Sequence, residues 1–225
     1  SAYTTYYFRA GAINHNNVAS FASVGGTQTT AGYGPTNPTL VSVNISTISV
    51  QWGDVASNDG YVLQASLASN FGAIAASSAT TNGDSITLTF NNGALAPNTT
   101  YFLRVGATYN GATTYALTAP QSTSTLASFI TGSAFLNVNI TSVTVAWTAF
   151  TGGDGANSGE GYRLEAYSDS AMTTLISSSQ TYAVTQSTLT VFNLSAFTTY
   201  YFRAGAINHN NVASFASVGG TQTTA

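Results

Sequence analysis

The chain has 225 residues, of which 44% are hydrophobic and 12% aromatic, enough apolar material to offset the ordering entropy of one large or two ordinary domains. Only 5% of its residues are charged and lysine is absent, so four scattered arginines in a chain of net charge −3 cannot neutralise a run of phosphates, which excludes nucleic acid and anionic membrane surfaces as partners. The lack of cysteine and lysine also excludes disulfides and Lys–Asn isopeptide crosslinks. A self-formed Thr–Gln ester stays formally open, and no apolar run approaches the ~20 residues of a membrane span, so no membrane insertion is expected in this segment.

Residues 1–31 read as two strands, Thr5–Ile13 and Ala19–Thr29, joined by Asn14, His15, Asn16 and Asn17. Tyr6, Phe8, Ala10 and Ala12 alternate onto one face, with Tyr7, Arg9 and Gly11 on the other. A lone hairpin of this kind is marginal in water, so its partner strands are expected from elsewhere.

Gly32, Gly34, Pro35 and Pro38 then break the pattern. From about Thr39 a full repeat begins, with Ile48, Val50 and Trp52 on the buried side of one strand and Ser49 and Gln51 on the other. A polar loop from Gly53 to Gly60 leads to alternating Tyr61, Leu63 and Ala65. A looser Ala and Ser segment follows, then alternating Ile86, Leu88 and Phe90 and an Asn91-Asn92-Gly93 turn. Leu95-Ala96-Pro97-Asn98-Thr99-Thr100-Tyr101 opens a strand whose Tyr101, Leu103, Val105 and Ala107 face inward.

A strand ending in tryptophan, a Gly-Tyr-x-apolar strand and a Leu-x-Pro-x-Thr-x-Tyr corner together make the repeat resemble a fibronectin type III domain. The resemblance implies a seven-stranded immunoglobulin-like sandwich in which the corner tyrosine hydroxyl bonds back to nearby backbone. Residues 127–225 match piece by piece: Val143, Val145 and Trp147 stand for Ile48, Val50 and Trp52, Gly161-Tyr162-x-Leu164 for Gly60-Tyr61-x-Leu63, and Leu189 and Val191 for Leu88 and Phe90. The second corner runs Leu194-x-Ala196-x-Thr198-x-Tyr200, with alanine where the family prefers proline, at some cost in loop rigidity.

Residues 195–225 repeat residues 1–31 with one change, Tyr3 against Phe197. The spacing of 194 residues, from Thr5 to Thr199, is about two domains, and the neighbouring repeats are only cousins, so the pattern reads as a two-domain unit in a longer array. The expected fold is all-β: the last two strands of one fibronectin type III-like domain in 1–31, and complete sandwiches in 32–126 and 127–225. Structural positions are assigned to Trp52, Trp147, Tyr6, Tyr101 and Tyr200.

No constellation for chemistry stands out. His15 and His209 are one loop position repeated, with no neighbouring ligand of the kind a zinc site needs. Asp54, Asn58 and Asp59 after the first tryptophan strand, and Asp154, Asn157 and Glu160 after the second, offer too few carboxylates for calcium and read as solvated turns. A Gly-x-Ser-x-Gly elbow is missing, and no cofactor is expected. Asn44, Asn98, Asn139 and Asn193 open glycosylation sequons. Arg9, Arg104 and Arg203 recur at one strand position beside Tyr7, Phe102 and Tyr201, a candidate outward contact patch for a sugar or a neighbouring domain.

These features suit a non-enzymatic structural subunit of an extracellular or cell-surface filament, of bacterial type, whose partners are other copies of itself and, in second place, surface glycans. An adhesive or carbohydrate-binding accessory module is the alternative. Residues 1–31 would be completed by a neighbouring copy, either along a continuous array or by donation of the hairpin to another chain; the intact hairpin of 195–225 argues for the continuous array.

Overall fold

A computed structural model describes residues 3–55, 57–117, 121–151 and 159–225. Among the described residues it contains seventeen strands and no helix. The first pair, β1 (Thr5–Ile13) and β2 (Ala19–Thr29), forms a two-stranded antiparallel sheet by itself.

The next eight strands build a sandwich. β3 (Thr36–Val43), β4 (Ile48–Gly53) and β7 (Thr87–Thr89) make one sheet in the order β3-β4-β7. The facing sheet runs β10-β8-β5-β6, from β5 (Tyr61–Ser66), β6 (Ala76–Thr80), β8 (Thr100–Tyr109) and β10 (Gln121–Ser124), with β9 (Ala112–Tyr115) sharing the outer edge of β8. Strict alternation on β4 and β8 sends Ile48, Val50, Trp52, Tyr101, Leu103 and Val105 into one core with Tyr61, Leu63 and Phe90. The Ala and Ser segment thus contains β6: small side chains suit a short edge strand that pairs only with β5. Ile86 lies outside this core and is exposed, because only its carbonyl joins the sheet, accepting from Trp52 N at 3.0 Å.

The second sandwich repeats the plan. β11 (Thr131–Val138), β12 (Val143–Thr148) and β15 (Thr188–Val191) face a sheet ordered β14-β13-β16-β17, made of β13 (Gly161–Tyr167), β14 (Leu175–Thr181), β16 (Thr199–Ile207) and β17 (Ala213–Thr223). Val143, Val145, Trp147, Tyr162, Leu164, Tyr200 and Phe202 fill its core. Each buried aromatic or branched aliphatic side chain contributes roughly 1.5–3 kcal/mol, so each sandwich has its own apolar reason to fold.

The β1–β2 pair copies β16–β17 in backbone as well as sequence. Both hairpins pair in the same register, and both break it at one place, between Tyr7 and Arg9 and between Tyr201 and Arg203. The glycines opposite that break, Gly26 and Gly220, take φ of 99° and 88°, values that tolerate no Cβ comfortably and so fix the bulge where glycine stands.

Candidate repeat–repeat interface

The corner before β8 places Asn98 at φ 45°, a left-handed turn that a side chain with local hydrogen bonds tolerates. From there its amide leaves its own sandwich and enters the next. Asn98 Nδ2 donates to Glu160 Oε1 at 3.1 Å, and its Oδ1 accepts from His209 N at 3.1 Å. Glu160 Oε1 also stands 3.2 Å from His209 Nδ1. Beside this triangle Asn208 Nδ2 donates to the carbonyls of Ser124 and Thr125 at 3.2 and 3.0 Å, and Asn210 Nδ2 to Thr123 Oγ1 at 2.9 Å. Asn98 and Asn208 are only 4% and 2% exposed, so these are desolvated bonds whose loss leaves buried groups unpaired.

The loop that carries Asn208 is shaped before it docks. Asn208 Oδ1 accepts from the backbone N–H of Asn210 and Val212, at 3.1 and 2.9 Å, which leaves the amide nitrogen to reach across the junction. In the β1–β2 loop Asn14 Oδ1 accepts from Asn16 and Val18 N–H, both at 3.0 Å. The same key therefore exists twice, once seated and once exposed.

A second junction joins the hairpin to the first sandwich, and it uses homologous positions with different chemistry. Tyr3 occupies the corner slot of Asn98, at φ 47°. Its ring packs on Tyr109, centroids 4.8 Å apart, and its hydroxyl accepts from Asn58 Nδ2 at 2.8 Å. Tyr109, in the place of Asn208, donates its hydroxyl to the Tyr33 carbonyl at 2.9 Å. Burial pushes that hydroxyl above the usual tyrosine range. Gly32 lies against this ring so closely that a Cβ would overlap Tyr109.

The corner itself is closed by tyrosine in both sandwiches: Tyr101 OH accepts from Ala96 N, and Tyr200 OH from Ser195 N, each at 2.9 Å. With a three-stranded sheet facing a larger sheet of the same strand order in each unit, the architecture is decided. Both repeats are fibronectin type III-like sandwiches. No protein-family model matches the chain, and no curated protein matches it. Among solved structures it is similar to the FN1–FN3 domains of chicken CNTN1, at 18% identity over all of this chain and 79% of that one, with a TM-score of 0.42. It is likewise similar to a two-domain fibronectin type III segment of chicken tenascin, at 16% identity over 85% of this chain and all of that one, with a TM-score of 0.45.

The fibronectin type III-like frame places the residues singled out from sequence. Trp52 and Trp147 are buried against Tyr61 and Tyr162. The repeated arginines sit over aromatic rings of adjoining strands and loops: Arg104 over Phe71 and Tyr115, Arg203 over Tyr167 and Phe215, Arg9 over Phe21. Gln64 accepts from Arg104, and the buried Glu165 accepts from Arg203 at 2.7 Å. Phe102 and Tyr201 are half-buried and Tyr7 is exposed; none of the three is the ring its neighbouring arginine stacks on.

Asn44, Asn139 and Asn193 are exposed. Asn98 is instead buried, with its amide nitrogen donating to Glu160, so a glycan there would break the junction. The acidic turns are solvent-accessible and hydrogen-bonded as well. Asp54 accepts from the Tyr61 hydroxyl, Asp59 from Gly111 N–H at 3.0 Å, and Glu160 from Asn98. Asp154 and Asn157 lie outside the described residues. Among the described residues, no three of His, Asp and Glu stand together as a metal site would require.

Sequence reasoning places Glu160 and Asn58 in turns without their partners across the junctions, and it does not single out Asn208 or Tyr109. One signal was present. The single change between the two copies of the 31-residue stretch falls on the corner slot.

Proposed function

We propose that the chain is a non-enzymatic structural segment of an extracellular or cell-surface filament, of bacterial type, in which fibronectin type III-like repeats assemble by repeat–repeat contacts with other copies of themselves. The observation that carries this reading is the buried hydrogen-bonded junction of Asn98 with Glu160 and His209. Flexible linkers between domains leave their partners free to rotate, whereas here three side chains and two backbone carbonyls of the link hold adjacent sandwiches at one angle. A fixed angle repeated along a chain gives a stiff rod or a regular helix, the property a fibre requires. Three of the four arginines sit over aromatic rings and Glu160 lies at the junction, which supports mechanical use over catalysis. Electron microscopy of the protein from its native source, with the mass of the intact chain, tests the proposal. Filaments with an axial repeat of two sandwiches are expected; discrete particles of 23.1 kDa would defeat it.

A further inference from the structure

The corner slot is filled three times, by Tyr3, Asn98 and Phe197, all in the left-handed conformation, at φ 47°, 45° and 49°. At the first two the side chain leaves its own unit and contacts the sandwich that follows. Phe197 is 86% exposed, although an aromatic ring of this size gains from burial wherever a partner is offered. Its surroundings duplicate those of Tyr3, since the flanking hairpins are identical in sequence and register.

We infer that Phe197 is the docking residue of a third junction, and that its occupant is a further copy of residues 32–126 following in series, seated with its Tyr109 on the Phe197 ring. The inference rests on the array reading and adds its direction and chemistry: aromatic corners take a sandwich with Tyr109 and Asn58 at its near end, and the asparagine corner takes one with Asn208, His209 and Glu160. The occupant is in series because a separate copy already has its Tyr109 covered by its own Tyr3. It would have to give up one such contact to make the other, with no net burial.

The Asn58 amide donates to the Tyr3 hydroxyl, and phenylalanine lacks that acceptor, so the Phe197 junction keeps the ring contact and loses one hydrogen bond. The experiment lengthens the chain by a second copy of residues 32–225 after Ala225 and follows proteolysis at the new link. Phe197→Ala is expected to speed cleavage there by about tenfold, the scale of one aromatic pair, without changing thermal unfolding of the 225-residue chain, in which this ring supports nothing. Phe197→Tyr is expected to slow it, by supplying the acceptor that Tyr3 has. Cleavage indifferent to Phe197→Ala, or a Phe197-dependent dimer of separate 225-residue chains, would overturn the inference. Failure to find filaments in the native source would defeat the function proposed above and leave this result standing.

Discussion

Two hairpins of nearly one sequence meet opposite fates in this molecule. In β16–β17 Phe202 and Ile207 are fully buried; in β1–β2 the matching Phe8 and Ile13 are 50% and 67% exposed. Register, bulge and loop hydrogen bonds are nevertheless the same. Local sequence therefore sets the hairpin's shape, and the sheet lying against it sets what that shape is worth. β16 has β13 beside it and the β11-β12-β15 sheet opposite, while β1 pairs with β2 alone.

Paired substitutions break that comparison at its strongest point. Phe202→Ala is expected to cost about 3–5 kcal/mol, as a buried phenylalanine truncation does, whereas Phe8→Ala should fall within about 0.5 kcal/mol; denaturant unfolding of the two variants measures both. The loops give the next contrast. Asn208→Ala unpairs the Ser124 and Thr125 carbonyls and is expected to cost about 1–3 kcal/mol, while Asn14→Ala loses only its turn bonds. A scan in which the two lower the melting temperature equally would contradict the junction described here.

Tyr200→Phe isolates the corner bond and should cost about 1 kcal/mol, with a matching loss for Tyr101→Phe in the other sandwich. A last effect grows only as pH rises. Burial, and then the bond to Glu165, push the Tyr167 hydroxyl up to about 12 from 10.0. The unfolded chain releases that proton first as pH rises, so the stabilisation is complete below pH 10 and is lost on the way to 12. Tyr167→Phe should flatten the alkaline decline of the second sandwich, read by unfolding at stepped pH. The first sandwich has Ser66 at the matching place and should not respond to this substitution.

Much of this architecture was legible because strands with one buried face write their alternation into the chain: β4, β8, β12 and β16 follow their apolar positions closely. Strand β6 was not, since Ala and Ser carry no two-residue signal at a sheet edge. The junction was harder. Asn98 and Glu160 are 62 residues apart, and asparagines in turns look alike whether they face water or the next domain. Their role emerges only when two sandwiches are placed end to end.

The alternating corner gives the protein something like a phase. Under the array proposed here, removing or adding one sandwich would set an asparagine corner against a tyrosine end, or a phenylalanine corner against a carboxylate. Recombination between the two near-identical 31-residue stretches would instead shift the chain by 194 residues and restore every contact. A protein built this way can change length between generations without ever exposing a mismatched joint, provided it does so two domains at a time.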